Sequence, residues 1–539
     1  MPRYQRFFHY TVLSLTLSTL CLVWPDTPPG LASSSTTPQG TVQIAFHSFS
    51  KERMTPVFDG TPGLPYHGQM FDWFIGATPE GQLSTENGVL EHYEANAEAT
   101  VWSFRLRPGI RWHDGVAMTA EDLKFSIEFY AQPDSQCTQC GAVRANLDHV
   151  EMVDRATVRL HLKRPDVSLP AAFGPLEGNF LVLPKHHFAQ VGPQGFEAQP
   201  LGSGPWKFVK REIGQLIEYE AHTDYWNVKR RPKFATLRML LVPEARTRVA
   251  MLKRGEVDLI SLEPQDVEPL KKEGFKILGP RDTGFPMLTF YRSYDPAFLT
   301  HKLAFRKALI LGVDWEAVVK AYYPPEVAER QRGGAPLYSR VTLGYDAEIP
   351  PYAYNPQEAR RLLKEVGYKG EKITFWNFFF TANPEQPEVN EVIASYWRKL
   401  ELDVDLVTID YAAFQTRLRS RPQKFDPPVS IGVQYPWARP SLVNNMRVFM
   451  LSHEDGGSTS AYWNPEKAAR LFTEVSSIAD VAARDQRLRA LNRELYDEYW
   501  AMPIVIRHTP FAAGARIVDW RPSNGSPTAL AFETLQPRP

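Results

Sequence analysis

The sequence has few of the features that mark an enzyme or a nucleic-acid-binding protein. It contains three cysteines in 539 residues, and its 61 Lys+Arg balance its 61 Asp+Glu without a long run of one sign. Nucleic acid or an anionic membrane would favour a basic patch. We find no H-E-x-x-H, no G-x-S-x-G, no Walker lysine and no clustered His/Cys ligand set. We therefore expect no nucleic acid partner, no cofactor, no metal and no catalytic residue, although a site made of distant carboxylates would be invisible in a sequence.

Length and composition predict a multidomain globular protein. The chain is longer than a single hydrophobic core usually organises, so we expect two or three domains. It is 43% hydrophobic and 12% aromatic, which is ample material for cores. Its 45 prolines are spread along the chain, a distribution that favours many loops between short elements over a disordered tail.

Residues 1–32 have the pattern of a secretory signal peptide. Arg3 and Arg6 form a positive start, an apolar stretch follows at 7–24, and a small-x-small pattern at 30–32 suits cleavage. We expect the mature chain to begin near residue 33, which predicts export to the periplasm.

Two alternatives for this N-terminal segment stay open. The apolar run is about long enough to cross a bilayer, so a retained membrane anchor is the first. A lipoprotein is the second, because Cys21 lies in the segment. Leu20 precedes Cys21 where a small residue would be wanted, so we do not expect a lipid anchor.

Cys137 and Cys140 would remain after cleavage. In an exported protein a C-x-x-C pair favours a local disulfide, and we expect one clipping the loop after the helix that ends near Tyr130. A redox pair would need the start of a helix in a thioredoxin-like unit, and a zinc half-site would need a second pair. We find no matching second pair.

The stretch 102–130 predicts a compact α+β unit. Trp102, Phe104 and Leu106 alternate with polar residues, so they share one face of a strand. Pro108-Gly109 turns the chain into a second short strand, Asp114-Gly115 turns it again, and Thr119 with Asp122 forms a capping box that opens a helix.

This unit resembles the signature of the family 5 extracellular solute-binding proteins, the peptide- and nickel-type receptors of ABC importers. Those proteins have a W-x-F-x-L-R-x-G-x-x-F/W-H-D-G pattern, which WSFRLRPGIRWHDG follows from Trp102 onward. A second similarity is Gly202-Ser203-Gly204-Pro205-Trp206, followed some twenty residues later by Tyr225-Trp226. The resemblance implies an α/β, two-lobed periplasmic-binding-protein-like fold of the large three-domain class II type, with a cleft between the lobes.

The resemblance also gives expected domain boundaries. They are 1–32 signal peptide, 33–65 start of the first lobe, 66–199 additional domain, 200–283 first lobe continued, 284–499 second lobe, and 500–539 return to the first lobe.

Periodic segments support α/β lobes independently. Residues 237–260 predict a strand, a helix and a returning strand, with Gly255 ending the helix. In the second lobe, Asp314 and Asn355 are predicted helix caps, and KITFWNFFF is apolar on both faces, as a strand covered on both sides would be.

A hinge-closing receptor is the function that these features favour. The ligand of such a protein contacts both lobes and stabilises the closed form. We expect an oligopeptide-like or other medium-sized organic ligand, an inner-membrane ABC permease as partner, and a monomer. A receptor for an acidic metabolite, an oligosaccharide or a metal chelate is the first alternative, and a secreted α/β hydrolase is the second.

The second-lobe ligand motif departs from that of the peptide-binding relatives. They have an Asp that pairs with the α-amino group of the peptide, whereas the corresponding stretch VQYPWARPSLVNNM has none. Arg439 would instead suit a carboxylate or phosphate, because its guanidinium offers paired donors. A salt bridge at the rim or between the lobes is the equally weighted alternative for Arg439.

Aromatic side chains are the remaining candidates for ligand contact. We propose that at least two of them line the pocket, although each alone is more often part of a core. They are Trp437, Tyr435, Trp463, Trp376 and Tyr291.

Overall fold

A seven-stranded sheet forms the centre of the first lobe in the computed structural model, which describes residues 37–539 except 138, 380–382, 458 and 529. The predicted signal peptide and Cys21 lie outside the described residues. Thr41–Phe46 runs parallel to the strands on both of its sides, as the predicted βαβ crossover requires. In spatial order the strands are Lys276–Leu278, Phe511–Ala513, Leu259–Ser261, Thr41–Phe46, Thr236–Leu241, Leu216–Ala221 and Trp206–Glu212.

The additional domain contains a four-stranded antiparallel sheet. Trp102, Phe104 and Leu106 are all buried on one face, which confirms the predicted alternation. Thr119 and Asp122 form both bonds of the predicted capping box. The second short strand was wrong, because this stretch makes only one isolated bridge, Arg111 to Ala117. The sheet order is Leu90–Ala95, Val101–Leu106, Thr157–Leu162 and Leu147–Met152.

The second lobe is built on a five-stranded mixed sheet. The predicted buried strand, Ile373–Asn377, lies between two parallel neighbours. The caps at Asp314 and Asn355 are present, since each side chain accepts a hydrogen bond from a backbone N–H in the first turn of its helix. The sheet order is Val404–Thr408, Ile373–Asn377, Val429–Gln434, Met287–Phe290 and Ala501–Pro503.

The chain returns to the first lobe later than residue 500. Ala501–Pro503 pairs with Met287–Phe290 inside the second-lobe sheet, and Val505–Arg507 pairs with Ala328–Arg330. The strand that rejoins the seven-stranded sheet is Phe511–Ala513. The expected boundary at 500 is therefore corrected to a position between Arg507 and Phe511.

Helices cover the sheets and connect the strands. The remaining short strand pairs are Gly76–Ala77 with Leu83–Ser84 and Ile517–Asp519 with Gln536–Pro537. The α-helices are Leu64–Met70, Ala120–Tyr130, Cys140–Asn146, Leu169–Ala172, Lys185–Ala198, Ala245–Lys253, Pro264–Lys272, Leu303–Leu311, Trp315–Tyr322, Pro356–Glu365, Gln386–Arg398, Tyr411–Arg419, Leu442–Phe449, Pro465–Ser477 and Val481–Tyr496. The 3₁₀ helices are Pro56–Phe58, Thr61–Gly63, Thr85–Asn87, Val228–Arg230, Leu299–His301 and Phe532–Thr534.

Cys137 and Cys140 are joined by a disulfide, with their Cα atoms 5.2 Å apart. Cys140 is the first residue of the helix Cys140–Asn146, so the pair spans the start of a short helix rather than lying wholly in a loop. Both cysteines are buried.

Candidate functional site

A cavity of about 740 Å³ lies between the additional domain and the second lobe. Its walls combine apolar and polar side chains, and two aromatic side chains belong to the additional domain. Apolar lining residues include Tyr93, Trp102, Val167, Leu343, Leu442 and Val443. A space of this size and character suits a medium-sized organic ligand.

The cavity lining carries three basic and three acidic side chains, which are Arg340, Arg484, Arg489, Glu94, Asp480 and Asp485. Arg489 donates to Asp485 at 2.7 Å, and Arg484 donates to the carbonyl of Ile478 at 2.7 Å. Asp480 accepts the backbone N–H of Ala483 at the start of a helix. Arg489 and Asp485 form an ion pair, whereas Arg484 and Asp480 are bonded to backbone groups. The three positive charges of the lining equal the three negative ones, so the cavity favours a ligand whose own charges are few or balanced.

The second-lobe segment 434–443 borders this cavity at its end. Pro440 and Ser441 belong to the lining, and the Thr342 hydroxyl donates to the carbonyl of Arg439 at 2.7 Å. This is the segment in which the peptide-binding motif would be expected. The fold therefore brings the predicted segment to a cleft, although most of the lining comes from elsewhere in the chain.

Arg439 lies where the additional domain meets the second lobe. Burial lowers the pKa of its guanidinium, and Glu177 of the additional domain opposes that shift. Glu177 accepts from the backbone N–H of Ser441 at 2.7 Å and from the amide of Asn444 at 2.5 Å. Burial raises the pKa of the Glu177 carboxyl, while the nearby Arg439 and these hydrogen bonds lower it. This arrangement places Arg439 near a buried carboxylate of the additional domain, and its contact with a ligand stays a prediction.

Tyr435 and Trp437 lie beside the connection between the lobes. Gly284 forms bridges with both Trp437 and Arg507, and a Cβ added at Gly284 would lie 2.7 Å from the Tyr435 ring. Both aromatic side chains are partly exposed. They are therefore the two predicted aromatic residues that the fold places closest to the hinge.

Two crossing segments connect the lobes, and they are bonded to each other. The backbone N–H of Thr283 donates to the carbonyl of Arg507 at 2.8 Å, and the N–H of Arg507 donates to the carbonyl of Gly284 at 2.7 Å. A third bond joins Thr509 to Pro280 at 3.0 Å. A pair of short connecting segments is the arrangement about which two lobes can rotate.

Tyr291 and Trp376 share an aromatic cluster in the second lobe. Tyr291 has no exposed surface, stacks on Phe425 at 4.4 Å and accepts a hydrogen bond from Gln434 at 2.7 Å. Trp376 donates to the Ser430 hydroxyl at 2.7 Å. These contacts give both side chains a role in the core, and their contact with a ligand stays a prediction.

Trp463 lies in a separate polar cluster of the second lobe. It donates to Glu498 at 2.8 Å, and Lys467 donates to the same carboxylate at 2.6 Å. The Arg306 guanidinium lies 5.4 Å from its ring. The fold therefore does not bring all six predicted site residues together.

Sequence reasoning missed Glu177 and the cavity residues of the additional domain. They come from loops and strands far from 434–443 in the chain. Trp102 belongs to the family signature, but the signature did not mark it as a lining residue. Only two of the lining residues of the additional domain, Tyr93 and Trp102, are large aromatic residues like those predicted to line the pocket from the second lobe. Knowledge of the domain packing would have been needed to find them.

Metal and membrane features are absent from the part of the chain that the structure covers. Among the described residues, no group of three or more His, Cys, Asp or Glu side chains could hold a metal ion. Within the same residues, we find no helix with the length and apolar character needed to span a bilayer.

Comparison with known proteins identifies the family. Residues 84–474 match bacterial extracellular solute-binding proteins, family 5. The chain belongs to this family. The resemblance noted in the sequence and the two-lobed α/β fold are thereby confirmed.

The alignments of this family 5 protein with individual relatives cover about two thirds of each relative's length. Heme-binding protein A of Haemophilus influenzae is 28% identical over 367 residues, which are 63% of this chain and 65% of that protein. Dipeptide-binding protein of Escherichia coli is 24% identical over 382 residues, which are 66% of this chain and 68% of that protein. The structure of HbpA2 from Haemophilus parasuis has a TM-score of 0.79 at 20% identity, covering 93% of this chain and 100% of that one.

The family fixes the general role of this protein. Family 5 proteins bind a solute outside the cytoplasm and deliver it to the permease of an ABC transporter, and this chain has that role. The relatives are solute-binding transport proteins rather than enzymes.

Proposed function

We propose that this family 5 protein captures a medium-sized organic solute, such as an oligopeptide, in the cavity between the additional domain and the second lobe. The single observation that carries the proposal is the 740 Å³ space, whose lining combines apolar and aromatic side chains with equal numbers of basic and acidic ones. The relatives named for heme and for a dipeptide also bind organic molecules. Closure about the hinge encloses the solute, and the periplasm is the compartment in which this occurs.

The absence of an aspartate in 434–441 bears on the type of solute. A peptide ammonium buried without a counter-charge would be unfavourable by several kcal/mol. The segment 434–441 therefore supplies no carboxylate for the free amino terminus of a peptide, and non-peptide organic solutes fall within the same proposal.

An acidic solute is the second candidate, and Arg439 is the observation that favours it. Among the described residues, its guanidinium makes no hydrogen bond and no ion pair within 4.0 Å, although Glu177 is an electrostatic neighbour. Replacement of Arg439 by Ala tests this candidate. An acidic solute held by Arg439 would lose at least tenfold in affinity, whereas a solute held only by the cavity would be little affected.

The experiment is a thermal-shift screen of the purified protein, followed by calorimetric titration. The probes are a dipeptide, a tetrapeptide, hemin, maltotriose and a nickel–histidine chelate. Ala95→Trp introduces a large side chain at a partly exposed position of the cavity wall, and Ala97→Trp is the matched control two residues away outside the lining. We expect Ala95→Trp to lower the affinity at least tenfold and Ala97→Trp to preserve it. Equal affinity in both variants would refute the assignment of the cavity, and a lack of response to every probe would refute the proposed solute class.

A further inference from the structure

A buried polar cluster lies behind the hinge, between the connecting segments and the second lobe. Arg507 is its centre, with a side chain that is only 5% exposed. Its Nη1 donates to the Asn383 amide oxygen at 2.9 Å and to Glu385 Oε1, and the guanidinium lies 5.7 Å from the Tyr323 ring. We call Arg507, Asn383, Glu385 and Tyr323 the Arg507 cluster.

Two polar atoms of the Arg507 cluster are buried without a partner. They are Glu385 Oε2 and the Tyr323 hydroxyl, and neither makes a hydrogen bond to any residue that the structure describes. Tyr323 is 4% exposed, so bulk water does not solvate its hydroxyl freely. Buried polar groups are normally paired, because an unpaired one loses its hydration without compensation. The two atoms together are a candidate contact surface for a bound molecule.

Their chemistry restricts which group would fit. Glu385 Oε2 can only accept a hydrogen bond, whereas the Tyr323 hydroxyl can donate one. Arg507 already neutralises the Glu385 carboxylate, so a ligand ammonium would bring a positive charge beside Arg507 without a second counter-charge. A ligand carboxylate would similarly be repelled by Glu385. A neutral group with both a donor and an acceptor satisfies both atoms without adding charge.

The position of the cluster relates it to the cleft. The Arg507 backbone is bonded to Gly284, which also contacts Tyr435 at the start of the segment 434–443. Pro440 of the same segment lines the cavity. Five residues of extended chain span at most about 17 Å. An elongated solute that binds in the cavity would have to extend along this segment by a distance of this order to contact the Arg507 cluster.

We propose that Glu385 Oε2 and the Tyr323 hydroxyl form a ligand subsite for a neutral donor–acceptor group, either an amide or a hydroxyl, of the bound solute. This inference rests on the proposed function. An amide would donate its N–H to Glu385 and accept from Tyr323 through its carbonyl. A sugar hydroxyl would make both bonds through one oxygen. The subsite rejects a bare ammonium.

Tyr323→Phe tests the subsite, because it removes only the hydroxyl. Loss of an unpaired buried hydroxyl should not lower the melting temperature of the ligand-free protein. Loss of a ligand hydrogen bond should lower affinity roughly three- to tenfold. Tyr352→Phe is the matched control, since the Tyr352 hydroxyl donates to the carbonyl of Tyr496 at 2.8 Å inside the second lobe and neither residue lines the cavity. The control should lower the melting temperature and leave affinity unchanged.

The affinities of tetra-alanine, N-acetyl-tetra-alanine and maltotriose are measured by titration calorimetry. The binding of acetamide and methylammonium at millimolar concentration is measured by ligand-observed NMR. We expect acetylation to leave peptide affinity unchanged and Tyr323→Phe to weaken the probe that binds. Binding of the peptides would identify the bound group as an amide, whereas binding of maltotriose would identify it as a hydroxyl. Equal affinity of Tyr323→Phe and the wild type, a lower melting temperature of the ligand-free variant, or preference for methylammonium over acetamide would overturn the subsite.

Failure of the proposed function gives a different result. If neither peptide nor maltotriose binds the wild type, the proposed solute class fails, and acetamide alone decides the subsite. Acetamide bound by the wild type and lost in Tyr323→Phe supports the subsite. Acetamide that binds neither protein, or binds both equally, refutes it.

Discussion

The buried hinge residue His508 makes stability depend on pH in a defined window. Its side chain is 3% exposed, and its Nδ1 accepts the backbone N–H of Asp282 at 3.1 Å. Burial, with a smaller contribution from Arg281, lowers the pKa of His508 from 6.5 to about 4. A histidine whose pKa is lower in the folded state takes up its proton first in the unfolded state. Its contribution to stability is therefore complete above pH 6.5 and is lost as the pH falls from 6.5 towards 4.

The magnitude follows from proton linkage. One proton bound only by the unfolded state changes the free energy of unfolding by about 1.36 kcal/mol per pH unit. Between pH 7.5 and pH 5 only the interval below 6.5 counts, so His508 removes about 2 kcal/mol. This figure holds whenever the pKa in the folded protein is below 5, and it is therefore insensitive to the exact value.

The perturbation is His508→Asn, which places an amide oxygen near the position of Nδ1 and removes the titrating group. The free energy of unfolding is measured by urea titration at pH 7.5, 6.5 and 5.0, followed by tryptophan fluorescence. We expect the decrease between pH 7.5 and 5.0 to be about 2 kcal/mol smaller in the variant than in the wild type. The carboxylates titrate in both proteins and cancel in the comparison.

Thr509→Ala serves as the matched control, because Thr509 is the next residue in the hinge and does not titrate. Its hydroxyl bonds to that of Thr283 at 3.2 Å, so its loss should lower stability by a similar amount at every pH. Parallel pH profiles for the wild type and His508→Asn would show that the imidazole is not protected from protonation, and burial would then not lower the pKa of His508 as described.

Two further predictions concern the contacts between the lobes. Glu177→Ala leaves the Asn444 amide without its acceptor. We therefore expect the free energy of unfolding, measured in urea, to fall by about 2–4 kcal/mol, and the radius of gyration, measured by X-ray scattering, to increase. An unchanged radius would contradict a role of Glu177 in holding the lobes together. Gly284→Ala brings a methyl group to 2.7 Å from the Tyr435 ring, and we expect a loss of about 1–3 kcal/mol, whereas Gly68→Ala, with nothing within 4 Å, should cause none. Equal stability of the two glycine variants would show that the hinge yields freely at Gly284.

Signals that lie within a few residues of one another were predicted well. The alternation of Trp102, Phe104 and Leu106 and the capping box at Thr119 and Asp122 depend on local periodicity and local hydrogen bonds, and both are present. The short strand after Pro108-Gly109 was wrong, since two or three extended residues cannot build a ladder unless a neighbouring strand offers an edge. The same physical limit applies to the last domain boundary. Residues 501–503 are apolar like those of either lobe, and only their pairing with Met287–Phe290 assigns them to the second.

The candidate site was less predictable than the fold. Tyr435, Trp437 and Arg439 were predicted together because they share one short segment, which lies beside the hinge at one end and borders the cavity at the other. Their contact with a ligand stays a prediction. Tyr291 and Trp376 were selected by residue type alone, and their partners are core side chains. An aromatic ring has the same composition in a core and in a pocket, so its residue type cannot distinguish the two environments.

The sequence by itself determined the class of the protein, because helix caps, strand alternation and the family pattern are carried by neighbouring residues. Only the tertiary structure decided that Glu177 faces Arg439 and that Glu385 and Tyr323 have polar atoms left unpaired beside Arg507. The physical reason is that the environment of a charge or hydroxyl is set by residues more than a hundred positions away. Burial and pairing at such distances arise when the lobes pack, and no local pattern records them.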